Sequence, residues 1–484
     1  PRESGEDMLS EAEALETLDL ANWEVMDLDF IRYFPNLKEL ILDGNAITDL
    51  TPLKDLYALE RLSLAENGVA DLTPLANLTN LQSLNLSDNV IDDVSCLGNL
   101  SRLKELDLSV NNIHSLDGLY ALTELETVDL SYNFISSVNA LGNSKLRELN
   151  IVNTNINSLW AVSELTTLEV LKAGYYYERV DDADTYMLDK KYRSDSTVAH
   201  TLTGMEAISG LTNLRTLYLS SLSTQTMQPL SGLPKLESLT LYSYSGPTDY
   251  NVLGGLTGLK ELSLDGAGGG FDSLHFLLSL TNLETLEIGG GSTSGGAWPI
   301  ASLVNLKKLA LSGFDTDLSF LTNLDQLREL RLEQWDDVDD YAPIADLQSL
   351  EYLELYNTPI LDFSLISQIK TLRCIKIYGE RINSIEGIDQ LTNLEYLYLG
   401  VARYSKRSNK AQLDQSLLDG LENLGYVFVC IGGIDGEDVC YGMGGEDGIQ
   451  TLYLPSKSAT KSWNYDTLDI HVTEDQHLID TPVT

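Results

Sequence analysis

Apolar residues recur along most of this chain in the frame L-x-x-L-x-L, and the frame returns about every 22 residues. Two consecutive units share one grammar: Leu59, Leu62, Leu64, Asn67, Val69, Leu72, Leu75 and Leu78, then Leu81, Leu84, Leu86, Asn89, Ile91, Val94, Leu97 and Leu100. Unit starts fall at Leu15, Leu37, Leu59, Leu81, Leu103, Leu125, Leu146, Leu168, Leu214, Leu236, Leu259, Leu283, Leu306, Leu327, Leu350, Leu372 and Leu394, seventeen in all. Alternation within each L-x-L predicts a short strand with its leucines inward. No single unit closes its own core, so the units must stack and bury one continuous core. The segment opposite each strand is too short for a full helix and often opens with Thr-Pro (Thr51-Pro52, Thr73-Pro74), which predicts 3₁₀ or one-turn segments.

Departures from the frame organise the rest. Units two to six carry an asparagine three residues after the last strand leucine (Asn45, Asn67, Asn89, Asn111, Asn133), where an amide can satisfy backbone groups that a tight turn buries. From Thr154 onward other residues take that place, so the later turns must form by other means. Leu168 and Leu214 stand 46 residues apart, which predicts an insertion near 175–200. It holds Tyr175, Tyr176, Tyr177, Tyr186 and Tyr192, and aromatic residues on a projecting loop are candidate binding groups. Residues 1–14 read as an N-terminal cap with a short helix, 15–412 as the solenoid, and 413–484 as a C-terminal cap or the start of a further module. The chain begins at Pro1, so a processed or truncated form is expected.

Segments such as Asp71-Leu-Thr-Pro-Leu-Ala-Asn-Leu-Thr-Asn-Leu-Gln-Ser-Leu-Asn-Leu-Ser-Asp-Asn89 resemble the leucine-rich repeats of bacterial internalins, a 22-residue class shared with a eukaryotic phosphatase regulator. The resemblance covers roughly Leu15 to Leu399. It implies an α/β solenoid, a leucine-rich repeat horseshoe with a parallel concave sheet. It also implies a secreted or wall-attached protein that grips another protein, such as a host surface protein, with its concave face. No Leu-Pro-x-Thr-Gly sorting signal follows the repeats. A cytoplasmic scaffold like the phosphatase regulator and a rigid surface spacer are the alternatives.

Charge narrows the partners. With 31 basic and 73 acidic residues the net charge is -42, which disfavours nucleic acid and anionic membranes and suits neutral or basic partners. No apolar run reaches membrane-spanning length. Of the four cysteines, Cys430 and Cys440 are close enough to pair across a loop in an oxidising compartment. The five histidines are dispersed, and no nucleophile, metal or phosphate-loop motif stands in supporting context, so neither an enzyme nor a cofactor is expected. The glycine runs at 265–270 and 289–296 precede no helix signal and read as turns, while the acid clusters around Asp181 and Asp336 read as solvated charge.

The outward strand positions discriminate further. Units one to eight offer no aromatic residue there. Units nine to seventeen offer Tyr218, Tyr242, Tyr352, Tyr356, Tyr378, Tyr396 and Tyr398, with Arg331, Glu354 and Lys376 beside them. Tyrosine is 24 of 484 residues, so those 27 positions would hold about 1.3 by composition, and strand preference roughly doubles that. Seven is an excess, and tyrosine anchors protein interfaces at low entropic cost. Mutual stacking along the sheet is the competing explanation. The expected ligand is a protein, a glycan is the second class such a face admits, and the chain is expected to be a monomer.

Overall fold

The computed structural model describes residues 11–175, 201–242 and 250–400, except 266–270, 272, 290–294, 315–316, 334–339, 357–362 and 379–385. Beyond 400 it describes residues 418, 421, 423 and 424 and three strands between 426 and 455. The chain divides into two compact units, Pro1–Leu259 and Lys260–Thr484.

Among the described residues of the first unit, 11–13 are helical and ten strands follow, β1 (Thr17–Asp19) to β10 (Ser238–Tyr242). Neighbours pair in parallel with no slip, so one column of Cα partners runs Leu18, Leu40, Leu62, Leu84, Leu106, Val128, Leu149, Leu171, Leu217 and Leu239. From Leu40 onward each of these side chains is at most 2% exposed. Such burial contributes about 1.5–3 kcal/mol per side chain, and a one-residue slip would turn the whole column outward. Strands alternate with 3₁₀ turns such as Thr51–Leu53 and Thr73–Leu75, as the Thr-Pro signals predict. An aspartate caps many of these turns: Asp49, Asp71 and Asp93 accept the backbone N–H two residues on at 2.8–2.9 Å.

The asparagine ladder forms as expected. Asn67 donates through Nδ2 to the carbonyls of Leu42, Leu64 and Ala65, and its Oδ1 accepts from Ile47 N–H. Asn45, Asn89, Asn111 and Asn133 repeat the pattern, each reaching into the preceding repeat. Strand length registers where the ladder ends. β1 to β6 are three residues each, whereas β7 (Glu148–Val152) and β8 (Val170–Gly174) are five. With Thr154 in place of asparagine, its Oγ1 donates to Ile151 O at 2.9 Å, the carbonyl three residues back that the amide reaches in earlier repeats, and Ile151 and Val152 pair in register with Ala173 and Gly174.

At the insertion, Gly174 adopts φ +110°, and a Cβ there would lie 2.0 Å from Ser220 O, so only glycine fits. Tyr175 follows directly and is buried, its hydroxyl donating to Ile156 O at 3.3 Å. Ser221 Oγ donates to Tyr175 O, and Leu202 N–H to Ser221 O, so both ends of the insertion are sewn to β9 (Thr216–Ser220) and its following turn. Tyr176, Tyr177, Tyr186 and Tyr192 lie outside the described residues, as does the acid cluster around Asp181.

The second unit opens with seven parallel strands, β11 (Glu261–Asp265) to β17 (Tyr396–Gly400). Leu262, Leu286, Leu309, Leu330, Leu353, Ile375 and Leu397 form its buried column. The parallel run extends one strand past the last unit of the leucine frame. β18 (Tyr426–Gly432) pairs in parallel with β17, placing Val427 opposite Leu397 and Val429 opposite Leu399. β19 (Glu437–Gly444) and β20 (Gln450–Pro455) then pair antiparallel and end the parallel series. Cys430 and Cys440 are direct Cα partners in the β18–β19 ladder. The basic patch at 403–410 and the strand-like run 467–472 lie outside the described residues.

Candidate functional site

Period-2 alternation on β14 (Glu329–Glu333), β15 (Tyr352–Tyr356), β16 (Cys374–Tyr378) and β17 places three outward rows side by side. The first runs Glu329, Tyr352, Cys374, Tyr396. The second runs Arg331, Glu354, Lys376, Tyr398, and the third Glu333, Tyr356, Tyr378. Eight of the ten ligand-binding candidates thus occupy one patch of four adjacent strands. Tyr356 is exposed, Tyr352, Tyr396 and Tyr398 are half-buried, and of Tyr378 only the strand position is described. The register carries the rows on to Tyr426, opposite Tyr396, and Phe428, opposite Tyr398. Tyr218 and Tyr242 belong to the first unit, where Tyr218 faces Lys172 and Thr240 in register and Tyr242 faces Ser220.

The polar groups of the patch are linked. Tyr352 Oη donates to Glu354 Oε2 at 2.6 Å, while Arg331 Nε stands 3.9 Å from Glu354 Oε1. The Glu354 side chain is only 12% exposed, and both its oxygens face these donors. Burial, and then the bond to Glu354, lift the Tyr352 phenol well above its ordinary range, so it remains a neutral donor. Lys376 Nζ lies 5.6 Å from the centroid of the Tyr352 ring and 5.5 Å from that of Tyr396, a cation held against two π faces. Cys374, between those tyrosines in register, is a free thiol whose pKa burial pushes up to about 12, which makes it a poor nucleophile.

The outward face of the first unit uses its acids locally. Asp43 accepts from Ser63 Oγ (2.6 Å) and Ala65 N (2.8 Å), Asp107 from Ser109 N (2.8 Å), and Asp129 from Ser131 N (2.8 Å) and Asn150 Nδ2 (2.8 Å). These carboxylates secure strand ends. Among the described residues no group of three or more His, Cys, Asp or Glu is placed to hold a metal, and no helix is long and apolar enough to cross a membrane.

A further pattern lies on the residue just before each strand. In the first unit it reads Glu16, Lys38, Glu60, Gln82, Lys104, Glu126, Arg147, Glu169, Arg215, Glu237; in the second, Lys260, Glu284, Lys307, Arg328, Glu351, Arg373, Glu395. Signs alternate almost throughout, and the structure pairs them: Lys38–Glu16 (2.7 Å), Lys104–Glu126 (3.6 Å), Arg147–Glu169 (2.8 Å), Lys307–Glu284 (2.6 Å), Arg328–Glu351 (3.3 Å) and Arg373–Glu395 (2.9 Å). Arg215 joins Glu237 and stands 3.8 Å from Glu169. The signal was present in the spacing, since it needs only the residue following each unit-start leucine.

Comparison with known proteins agrees with the repeat geometry. The family of leucine-rich repeats in two copies matches residues 58–99 and 101–143. An internalin of Listeria monocytogenes superposes with a TM-score of 0.56 at 24% identity, covering 73% of this chain and 89% of that one. In fold, the chain is an internalin-like leucine-rich repeat protein. A leucine-rich repeat protein of Leptospira interrogans gives a TM-score of 0.56 at 22% identity over 87% of this repeat chain and 98% of its own. The leucine-rich repeat ectodomain of an Arabidopsis thaliana membrane receptor kinase, in complex with CASPARIAN STRIP INTEGRITY FACTOR 2, gives 0.55 at 23% identity over 86% of this chain and 53% of that one. In sequence, an adenylate cyclase regulatory protein of Trypanosoma equiperdum is 30% identical over 138 residues, 22% of either chain. The leucine-rich repeat solenoid is a scaffold whose extended sheet face commonly binds proteins.

Proposed function

We propose that this leucine-rich repeat chain is a non-enzymatic, adhesin-like binding module, secreted or held at a bacterial cell surface. Its ligand is a protein, engaged through the outward face of β14 to β17. The supporting observation is the patch itself: Tyr352 and Tyr356 on β15 and Tyr396 and Tyr398 on β17 stand either side of Lys376 on β16, with Glu354 on β15 and Arg331 on β14 beside them. Large rings with polar tips, already ordered by the sheet and by the Tyr352–Glu354 bond, lose little freedom on binding. The extracellular setting rests on the resemblance to internalins.

The test is a screen of the full chain against extracellular proteins and glycans, alongside a variant with alanine at Tyr352, Tyr356, Tyr396 and Tyr398. These side chains lie outside the buried leucine column, so circular dichroism should be unchanged. Loss of a protein ligand by the folded variant supports the face. A glycan lost in its place would reassign the ligand class. A ligand that binds both forms equally would remove the site and favour a spacer, and a partner found only in the cytoplasm would favour a regulatory scaffold.

A further inference from the structure

Three cations face outward in the described strands of the second unit: Lys308, Arg331 and Lys376. Two have carboxylate partners, Lys308 with Glu287 at 3.0 Å and Arg331 with Glu354 at 3.9 Å. Lys376 differs. Among the described residues its ammonium forms no ion pair or hydrogen bond, and it stands over the faces of Tyr352 and Tyr396 with the Cys374 thiol within electrostatic reach. Its neighbour in register is Glu354, whose oxygens already face Tyr352 Oη and Arg331. Two rings hold Nζ in place without consuming its three donor hydrogens. In a chain with a net charge of -42, a half-buried lysine with no carboxylate partner among the described residues is an unfilled position rather than a surplus.

We propose that Lys376 receives a side-chain carboxylate, from an Asp or Glu of the protein partner, between Tyr352 and Tyr396. This rests on the binding face proposed above and names the chemistry at its centre. The rings would flank the methylene stem of the incoming acid while Nζ takes its oxygens, a charge-assisted bond in a site already partly shielded from water. The surroundings restrict the partner further. Glu329 and Glu333 flank the patch on β14, and the chain as a whole repels acidic bodies. The fitting ligand therefore offers one carboxylate from a neutral or basic surface, not an acidic tract.

A display library of random 12-residue peptides, panned on the full chain, tests this, with the selected peptides remade in C-terminally amidated form. Selected peptides should share one Asp or Glu with neutral or basic neighbours. Their affinity should fall about tenfold or more for Lys376→Met and be largely kept by Lys376→Arg. Peptides that bind only as free C-terminal acids overturn the side-chain assignment, and so does Lys376-dependent binding of oligogalacturonate in the absence of peptide binding. Peptides without an acid, or equally bound by Lys376→Met, yet lost by the four-tyrosine variant, overturn the role of Lys376 and leave the binding face standing. Peptides indifferent to both variants, or a library that yields none with no oligogalacturonate bound either, would sink both readings.

Discussion

Replacing Asn111 by alanine probes the ladder at its most buried rung. Asn111 is 1% exposed; its Nδ2 donates to the carbonyls of Leu86 (2.9 Å), Leu108 (3.2 Å) and Ser109 (3.1 Å), and its Oδ1 accepts from Ile91 N–H (3.0 Å). The carbonyls are insured. Leu86 O also accepts from Asn89 Nδ2, Leu108 O from Asn133 Nδ2, and Ser109 O from Asp88 N–H. The variant therefore orphans one group, the Ile91 N–H, at about 1–3 kcal/mol, and loses three shared donor contacts worth less than a full bond each, for a total of about 2–4 kcal/mol. Urea denaturation should report that loss, and the Ile91 amide should exchange faster in hydrogen-exchange mass spectrometry. Exposed Asn112 is the control, with alanine there costing under about 0.5 kcal/mol. Asn111→Asp separates the roles, because it keeps the acceptor for Ile91 but loses all three donors. An Asn111→Ala midpoint within error of the parent, with the Ile91 amide still protected, would refute the ladder as a stabilising element.

Other outcomes follow from the same geometry. Burial, opposed by bonds to Ser109 and reinforced by Asp129, raises the Asp107 carboxyl above its ordinary range, so its charged form weakens the fold at neutral pH and the penalty fades as pH falls through the raised pKa. Asp107→Asn should accordingly raise the urea midpoint at pH 7 and lose that advantage at acid pH. Bonds to the following Thr or Ser hold Asp49, Asp71 and Asp93 below the usual range, so their contribution is present above the unfolded pKa and is lost on further acidification, when the 3₁₀ caps loosen. Glu169→Lys, between Arg147 and Arg215, should lower the melting temperature at low ionic strength, with the gap to the parent closing as salt is added. Cα partnership of Cys430 with Cys440 suits a cross-strand disulfide, so the chain prepared under oxidising conditions should titrate two thiols when denatured, those of Cys96 and Cys374.

The leucine frame made most of the strands legible because each buried position repeats at a fixed offset, and the asparagine ladder was legible for the same reason. β18 was not, because it spells the frame with valine. Leu421-Glu-Asn-Leu-Gly-Tyr-Val-Phe-Val429 matches Leu391-Thr-Asn-Leu-Glu-Tyr-Leu-Tyr-Leu399 position by position, down to Asn423 donating to Thr392 O as Asn393 donates to Lys370 O. Tyr426 and Phe428 were missed with it. Tyr175 looked like a loop residue because it heads a tyrosine run, yet it completes the core beside Gly174, a role that depends on the Cβ-free approach to Ser220. The tyrosine rows could be placed from alternation alone. Which cation lacked a partner could not, since that depends on where Glu354 directs its two oxygens.

The alternating charges before the strands give each array a parity. Duplicating or deleting two neighbouring repeats leaves every positive residue between negative ones, whereas changing the number by one sets like charges side by side along the stack. Two places escape this rule. Gln82 is neutral between Glu60 and Lys104, and Lys307 is followed by Arg328, so the phase slips at each. Removing the repeat that carries Gln82 would bring Glu60 beside Lys104, and removing the one that carries Lys307 would bring Glu284 beside Arg328, opposite signs in both cases. Removing the repeat that carries Arg328 does the same, setting Lys307 beside Glu351, so at these two phase slips an array of this kind can change length by a single step and keep its edge in phase.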